Sequence, residues 1–159
     1  MIRNGNFVKN CLINTQFGKV SPNGFDLSLK EVKKIQGTGI IDSFTTVLPE
    51  YISIPKDESD IYVLEQGIYS ITFNEGGKIF PNHCGMIKPR SSLVRSGAFI
   101  LSGLYDTGFE CENFGAILYV INPFGIRIKS NSIVAQLILI YAEQTFNYNG
   151  RWQKEKDIK

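Results

Sequence analysis

The sequence predicts an all-β domain, folded as a β-barrel or jelly roll with one short helix. Segments rich in β-branched and aromatic residues recur at short intervals, roughly every 8–12 residues, which is typical of such folds, whereas helical periodicity is scarce. The length of 159 residues fits one domain with a hydrophobic core. Hydrophobic residues make up 43% of the chain and charged residues 20%, a balance typical of a globular protein.

Turn residues bound each predicted strand. Residues 74–77 (Asn-Glu-Gly-Gly) and 130–132 (Ser-Asn-Ser) are predicted turns, and residues 92–98 form the one segment with helical character. Residues 144–159 are polar and are predicted to form a tail beyond a core domain of residues 1–143. The predicted strands are residues 44–54 with an interruption at Pro49, 61–64, 68–73, 115–121, 126–129 and 133–141.

Charge and residue counts exclude several classes of function. A net charge of only +2 argues against a protein that coats nucleic acid. The cysteines, Cys11, Cys84 and Cys111, are odd in number and lack metal-ligand spacing, which argues against a disulfide framework and a zinc site. His83 is the single histidine, so few histidine-based mechanisms are open. Catalysis would then use carboxylates, hydroxyls, arginines, or a metal ion held mainly by substrate phosphates.

No segment of the sequence indicates a membrane or an export signal. The first ten residues lack the apolar core of a signal peptide. The longest apolar run, near residues 133–142, is interrupted by Gln136 and is too short to span a bilayer. We therefore expect a soluble, intracellular, cytoplasmic protein with neither nucleic acid nor membrane as a partner.

Residues 88–97 (Lys-Pro-Arg-Ser-Ser-Leu-Val-Arg-Ser-Gly) have the composition of a phosphate-binding segment. Arg90 precedes the hydroxyls of Ser91 and Ser92 at the start of the predicted helix, and an arginine beside a helix N-terminus suits an anion. Arg95 follows about one helical turn later and can lie on the same face. A serine that merely caps the helix would also explain the hydroxyls.

Residues 102–109 place one acid, Asp106, in a glycine turn three residues before an aromatic ring, Phe109. A turn aspartate is usually structural, and a phenylalanine is usually part of the core. Asp26 lies in a similar turn-like context, and Gln136 lies inside an apolar strand, where a buried amide must be hydrogen-bonded. The order and spacing of these elements carry more information than any one of them.

Taken in order, four segments resemble four of the five motifs of the trimeric dUTPase and dCTP deaminase superfamily, over about residues 21–152. They are Gly-Phe-Asp-Leu at 24–27, Pro-Arg-Ser-Ser at 89–92, Gly-Leu-Tyr-Asp-Thr-Gly-Phe at 103–109 and Ile-Val-Ala-Gln-Leu-Ile at 133–138. They are similar to G-x-D-L, P-R-S, G-x-I-D-x-x-Y and R-I-A-Q-L-I. The glycine-rich fifth motif is not matched, and the segment with Tyr148, Arg151 and Trp152 in its place resembles the tail of the deaminase branch, as does Ser-Ser-Leu-Val-Arg-Ser-Gly at 91–97.

The resemblance implies a dUTPase-like β-barrel or jelly roll that forms a homotrimer. Its active sites would lie between subunits, and the tail of one chain would close a neighbouring site. It also implies hydrolysis of dUTP to dUMP and pyrophosphate, with Asp106 as the general base for water and Mg²⁺ held mainly through the substrate phosphates. The implied substrate contacts are Arg90, Ser91, Ser92, Gly103, Leu104, Tyr105, Phe109, Gln136, Tyr148, Arg151 and Trp152, with Asp26 and Arg95 as further candidates.

The alternative within the superfamily is a dCTP deaminase or a bifunctional enzyme. The deaminases use a glutamate about three residues before the asparagine that ends the strand after the third motif. Counting back from Asn122, Tyr119 occupies that position, and residues 115–121 contain no acid. Attack of water on the ring needs a proton shuttle, so we expect pyrophosphate cleavage. Glu110 and Glu112 keep deamination open if the loop brings either of them to the ring.

A third hypothesis, from another class, is a family member that binds a nucleotide or a protein partner as a regulator without catalysis. The presence of Asp106 together with Arg90 and Gln136 argues against it. Incubation with dUTP or dCTP, followed by identification of the products, distinguishes the three hypotheses.

Overall fold

The computed structural model describes residues 1–154 and confirms the all-β prediction. Strand residues predominate because the sequence alternates buried and less buried side chains along most segments, as in β13 and β15. The helices are α1 Gly5–Lys9 and α2 Ser91–Arg95. The strands are β1 Leu12–Ile13, β2 Lys19–Ser21, β3 Gly24–Gln36, β4 Ile40–Ile41, β5 Thr46–Val47, β6 Glu50–Ser53, β7 Ile61–Leu64, β8 Gly67–Phe73, β9 Gly76–Lys78, β10 His83–Pro89, β11 Ala98–Leu101, β12 Glu110–Cys111, β13 Gly115–Val120, β14 Ile126–Lys129 and β15 Ile133–Tyr141.

The main sheet is antiparallel, in the order β10-β15-β3-β8-β13-β11. Its central strand, β3, is 13 residues long and fully buried over its first six residues. The first half of β3 pairs with β2 and β15, and the second half pairs with β6 and β8. Register irregularities interrupt both long pairings, and such bulges bend a strand. The bent strand lets the two halves of the sheet enclose one core.

The core is aromatic and aliphatic, as expected for a chain of this size. It brings together side chains from β3, β8, β13 and β15. The largest fully buried side chains are Phe25, Phe73, Phe114, Leu27, Leu29, Leu64, Ile71, Ile79, Leu118, Leu137, Leu139 and Glu75. Glu75 is the one acid in this set, and its carboxylate accepts hydrogen bonds from the amide (2.8 Å) and the hydroxyl (2.7 Å) of Ser28 on β3. Burial raises the pKa of Glu75 above its usual value of 4.5.

The helix and turn predictions need three corrections. The predicted helix at 92–98 begins and ends earlier, at Ser91–Arg95, because Gly97 adopts a left-handed φ of +79° and Ala98 opens β11. A second helix, α1, was not predicted; it is a single turn that Asn4 caps through its side chain. The predicted turn at 74–77 is partly strand, since β9 begins within it. Neither helix within residues 1–154 is long and apolar enough to cross a bilayer.

Candidate active site

Four neighbouring strands align a row of polar residues. Gln136 on β15 pairs with Lys88 on β10 and with Asp26 on β3, and Asp26 pairs with Lys19 on β2. Directly paired residues of antiparallel strands present their side chains on the same face. The row therefore combines two exposed cations, an amide and a buried carboxylate on one face of the sheet.

Arg90 lies beside this row and is held by the buried acid. Its Nη1 donates a hydrogen bond to Asp26 Oδ1 at 2.9 Å, and its amide donates to the carbonyl of Val134 at 2.9 Å. The Asp26 side chain is 5% exposed, whereas that of Arg90 is 41% exposed. Gln136 is held in turn, because its Nε2 donates to the hydroxyl of Ser21. A guanidinium has five N–H donors, so an arginine that is fixed by one of them can still donate the remaining N–H groups to an anion.

Ser91 and Ser92 are exposed next to Arg90 and do not cap the helix. The residue at the N-cap of α2 is Arg90, which makes no side-chain capping bond. The hydroxyls of both serines take part in no hydrogen bond within residues 1–154. Arg95 is exposed in the last turn of α2. These three residues thus leave polar groups open to solvent in the segment that follows Arg90.

The turn with Asp106 is fixed by its neighbours. Tyr105 pairs with Gly85 of β10 through two backbone hydrogen bonds of 2.8 and 3.0 Å. Its hydroxyl donates to the carbonyl of Gly115 at 2.5 Å, and burial raises its pKa, which keeps the hydroxyl protonated as a donor. The amide of Phe109 donates to the carbonyl of Asp106 at 3.0 Å and closes the turn.

The carboxylate of Asp106 projects from this turn without a partner. It is exposed and makes no hydrogen bond or ion pair with residues 1–154. It borders a groove of about 590 Å³ whose other wall is formed by residues 142–150. The next residue, Thr107, is anchored by a hydrogen bond of 2.6 Å from its hydroxyl to the carbonyl of His83. A carboxylate that is free on a rigid turn can orient a water molecule and accept its proton.

Behind this turn lies a second space, here named the aromatic cavity, of about 330 Å³. Phe109 forms one of its walls, and Leu104 and Tyr148 line both this cavity and the groove beside Asp106. The volume falls at the lower end of the range for small-molecule sites, about 300–1,000 Å³. The aromatic cavity is lined by Leu48, Tyr51, Thr72, Gly103, Leu104, Tyr105, Phe109, Cys111, Asn113, Gly115, Tyr148 and Trp152.

The C-terminal tail lies over the aromatic cavity of its own chain. The ring of Tyr148 packs edge-on against Phe109, with 5.5 Å between the ring centroids. The side chain of Gln153 accepts a hydrogen bond from the amide of Glu110 at 3.0 Å and donates one to the carbonyl of Gly108 at 2.9 Å. Gln153 thus clamps the tail to the turn. Closure of a neighbouring subunit's site by the tail stays a prediction.

Arg151 lies in the tail but lines neither the aromatic cavity nor the groove beside Asp106. Its Nη1 donates to the carbonyl of Thr46 on β5 at 3.3 Å, and its guanidinium lies 5.9 Å from the centroid of the Trp152 ring. In the described chain it therefore joins the tail to β5.

The acids that could serve ring chemistry lie elsewhere. Glu110 and Glu112 flank Cys111 on alternate positions, and both line a separate cavity of about 550 Å³ on the side of β1 and β9. Glu110 lies 3.8 Å from the ammonium group of Lys78. Tyr119, at the expected position of a deaminase glutamate, stacks on Phe99 with parallel rings 5.2 Å apart. None of these acids reaches the aromatic cavity in the described chain.

Within a single chain, the predicted site residues lie in two separate clusters. Tyr105, beside Asp106, pairs with Gly85 of β10, whereas Arg90 comes five residues after Gly85, just past the end of that strand. At about 3.3 Å per residue, the backbone of Arg90 lies roughly 17 Å beyond that pairing. The cluster around Arg90 and the cluster around Asp106 therefore do not meet within one chain.

Sequence analysis missed several polar residues of these clusters. Lys19 joins the row through the pairing register of β2, which no local pattern indicates, and Lys88, the first residue of the predicted phosphate-binding segment, joins it through the register of β10. Ser21 is identified only by its bond with Gln136. Gln153 lies in the polar tail, and its one sequence signal is its position next to Trp152.

A family model described as "dCTP deaminase-like" matches residues 3–141. A curated relative from Methanosarcina acetivorans, named probable deoxyuridine 5'-triphosphate nucleotidohydrolase, is 34% identical over 141 residues, which is 86% of this chain and 82% of that protein. A relative from Methanocaldococcus jannaschii, named deoxyuridine 5'-triphosphate nucleotidohydrolase, is 34% identical over 143 residues, which is 88% of this chain and 90% of that protein.

Two solved structures share the fold. The 2'-deoxycytidine 5'-triphosphate deaminase from Agrobacterium tumefaciens matches with a TM-score of 0.66 and 16% identity, over 87% of this chain and 46% of that one. The native dUTPase of EIAV matches with a TM-score of 0.56 and 19% identity, over 92% of this chain and 98% of that one. At these identities the similarity concerns the fold alone.

Proposed function

The chain belongs to the dCTP deaminase-like family, and we infer from its curated relatives that it is a dUTP nucleotidohydrolase, which cleaves dUTP to dUMP and pyrophosphate. Those relatives are 34% identical to it over most of both chains. One observation supports the reaction in particular: the unpaired carboxylate of Asp106 lies on a rigid turn between the groove and the aromatic cavity. Incubation with dUTP and dCTP in parallel, followed by identification of the products, tests the function.

We propose that Asp106 acts as the general base. Its carboxylate would orient a water molecule, take one of its protons, and direct the hydroxyl to the α-phosphorus. The bond between the α-phosphorus and the bridging oxygen breaks as the new P–O bond forms, so that dUMP and pyrophosphate leave. The rigid hydrogen-bonded turn supports this role because it fixes the carboxylate before the substrate arrives.

The aromatic cavity is the proposed site of the nucleoside. Phe109 would stack against the deoxyribose and leave no room for a 2'-hydroxyl. The backbone of Gly103 and Leu104 would contact the polar edge of the base, since the amide and carbonyl of Tyr105 are bonded to Gly85. Tyr148 and Trp152 would cover the nucleoside from the tail, which their positions in the cavity wall support. An apolar cavity with few polar groups is the usual environment for a planar ligand.

The polar row beside Arg90 is the proposed phosphate site. Arg90, fixed by Asp26, would bind phosphate oxygens through the donors that Asp26 leaves open. Ser91, Ser92 and Gln136 would add neutral donors. The flanking cations Lys19 and Lys88 extend the positive charge across the four strands, and Arg95 lies beyond them on α2. A row of fixed donors suits the distributed charge of a triphosphate.

We propose that the protein is a homotrimer whose active sites are shared between subunits. The separation of the Arg90 and Asp106 clusters supports this assembly, because one substrate would need the first cluster from one chain and the second from its neighbour. An apolar strip on β11 and β13, with Phe99 and Leu101 at least 37% exposed, offers a contact surface for a second copy. In the trimer, the tail of residues 144–159 would close a site at such a contact.

We propose Mg²⁺ as the metal ion. The described residues contain no group of three or more acidic, histidine or cysteine side chains that could hold an ion, and the carboxylate nearest the phosphate donors, Asp26, is bonded to Arg90. This donor set fits an ion that is held mainly by phosphate oxygens and water, as Mg²⁺ usually is. When bound, it would neutralise phosphate charge. Asp26 would contribute indirectly, by keeping Arg90 in place.

Deamination of dCTP is a second candidate, because the matching family model is named for it. The tyrosine at position 119 argues against it, because it stands where the resemblance places a glutamate and its ring is stacked on Phe99. Glu110 and Glu112 line another cavity. Formation of a uracil nucleotide from dCTP would favour this candidate.

A further inference from the structure

The wall of the aromatic cavity contains one buried polar atom without a hydrogen-bond partner. Thr72, on β8, is 6% exposed, and its hydroxyl is the sole buried side-chain nitrogen or oxygen atom within residues 1–154 that lacks a hydrogen bond. Folded proteins rarely leave such a group unsatisfied, because its loss of contact with water costs free energy. The atom therefore requires an explanation.

No neighbouring group in the chain is available to Thr72. Its pairing partner on β13 is Gly115, which has no side chain and leaves space beside it on the same face. Its partner on β3 is Glu31, whose carboxylate accepts a hydrogen bond from Ser53 at 2.7 Å and lies 3.3 Å from the ammonium group of Lys33. The absence of a partner is thus built into the pairing of three strands.

The one amide side chain in the cavity wall, that of Asn113, already uses all its hydrogen-bonding groups. Its Nδ2 donates to the carbonyls of Phe73 at 2.9 Å and Asn74 at 3.0 Å, and its Oδ1 accepts from Lys30 at 2.8 Å. A ligand in the aromatic cavity would therefore find mainly aromatic and aliphatic walls, with the Thr72 hydroxyl as the one buried polar atom within residues 1–154 that the fold leaves without a hydrogen bond. A flat ring with a polar edge matches those walls.

We propose that the Thr72 hydroxyl binds the polar edge of the pyrimidine base, an inference that rests on the proposed function. Rotation about χ1 exchanges the positions of its hydroxyl and methyl groups, so a covered hydroxyl can turn toward a bound ring. A hydroxyl both donates and accepts hydrogen bonds. It therefore strengthens binding of a ring oxygen or a ring amine alike, and it leaves the discrimination between uracil and cytosine to the backbone of the turn.

The test compares Thr72→Val, which keeps the shape and removes the hydroxyl, with Thr72→Ser, which keeps the hydroxyl. The valine variant should raise KM for dUTP about 3- to 10-fold, the usual worth of one hydrogen bond, with little change in kcat. The serine variant should keep KM for dUTP within about 2-fold of the parent value, because it keeps the hydrogen bond. Ser70→Ala is the matched control, because Ser70 is buried on the same strand and face but lies outside the cavity.

Two further measurements distinguish a ligand contact from a structural role. Without ligand, the valine variant should melt at the parent's temperature or above it, since it loses an unsatisfied group. In the valine variant, the rise in melting temperature caused by dUMP and the rise caused by dCMP should both be reduced, by the same factor. Inhibition by pyrophosphate should not change. A raised melting temperature with unchanged KM and unchanged dUMP stabilisation would overturn the proposal.

The binding measurements do not depend on turnover. If the parent protein failed to hydrolyse dUTP, the proposed function would fail, yet the loss of dUMP stabilisation on Thr72→Val would still support a base contact. If dUMP and dCMP did not stabilise the parent protein at all, the inference about Thr72 would be wrong.

Discussion

The guanidinium of Arg90 donates a hydrogen bond to the buried carboxylate of Asp26 at 2.9 Å, across 64 positions of sequence. The acid comes from the central strand β3, and the arginine follows the edge strand β10, with β15 between them. Because Asp26 is covered and Arg90 is partly open, the bond holds the arginine in one orientation before an anion arrives. The first and second motifs of the resemblance are thus joined by one ion pair.

This relationship predicts coupling between the two residues. Arg90→Ala should raise KM for dUTP about 10- to 100-fold, the range for one charge-assisted hydrogen bond. Asp26→Asn should raise KM less. When Asp26→Asn is added to Arg90→Ala, KM should rise almost no further, because Asp26 acts through Arg90. The matched control is Arg127 and Asp57, a surface pair 3.2 Å apart whose removal should leave KM unchanged. Additive effects at Arg90 and Asp26 would show that Asp26 has a separate role.

Asp106→Asn keeps the shape of the side chain and removes its basicity. We expect kcat for dUTP to fall at least ~10²-fold, the usual scale for a general base, while the affinity for a non-hydrolysable dUTP analogue stays near that of the parent. Glu112→Gln is the control: it removes a nearby acid that lines a different cavity, and it should leave kcat unchanged. Near-normal turnover of Asp106→Asn would remove this residue from the catalytic assignment.

The tail should be needed for turnover and not for folding. Removal of residues from Asn147 onward leaves intact every strand that the structure describes, since β15 ends at Tyr141. We expect the shortened chain to fold and to form the same oligomer, and to lose most of its hydrolysis, because closure excludes water from the site. The fluorescence of Trp152, the single tryptophan, should respond to a dUTP analogue in the full chain. Full activity of the shortened protein would show that the tail has no role.

Within the tail, two point variants separate two explanations. The sequence favours Arg151→Ala as the most damaging change, because arginine is the best phosphate partner. The structure favours Gln153→Ala, because Gln153 bonds both Glu110 and Gly108 while Arg151 contacts Thr46. If the tail acts within its own chain, the glutamine variant should show the larger rise in KM. A larger effect at Arg151 would indicate a phosphate contact in the assembled protein.

Strands with local signals were predicted well, and strands defined by partners were not. The first and last residues of β7, β14 and β15 are those predicted from the sequence, because turn residues flank alternating apolar positions. β3 was missed because its second half, with four lysines and glutamates, has the composition of an exposed loop. It is a strand because β6 and β8 pair with it on both sides.

The site residues divide in the same way. Motif spacing predicts Asp106, Arg90 and Gln136 as site residues, and the variants of Asp106 and Arg90 described above test two of those roles. The place of Lys88 beside Gln136 and the unbonded hydroxyl of Thr72 could not be predicted, because both depend on the pairing of strands that are far apart in sequence. Contacts of that kind depend on register, which a single sequence does not reveal.

The buried acid Glu75 predicts a pH dependence of stability. Burial raises its pKa, so the folded protein holds a proton more tightly than the unfolded chain. The contribution of this group is fully present below the usual pKa of 4.5 and declines as the pH rises through the higher pKa of the folded state. Glu75→Gln should remove that decline and raise the melting temperature at pH 7 relative to the parent.

The measurement is a series of melting temperatures from pH 4 to pH 8 for the parent, Glu75→Gln and the exposed control Glu58→Gln. The difference between the Glu75 variant and the parent should grow toward high pH, and the control should follow the parent. A difference that shrinks toward high pH would contradict a raised pKa at Glu75.

The most direct test of the account is the fate of dUTP and dCTP in water enriched in ¹⁸O, with Mg²⁺ present and the products identified by mass. The account predicts that dUTP gives dUMP carrying one ¹⁸O atom and unlabelled pyrophosphate, because water attacks the α-phosphorus, and that dCTP gives no uracil nucleotide. With Asp106→Asn, ¹⁸O-labelled dUMP should form much more slowly than with the parent protein. Label in the pyrophosphate, a uracil nucleotide formed from dCTP, or no turnover of dUTP would contradict it.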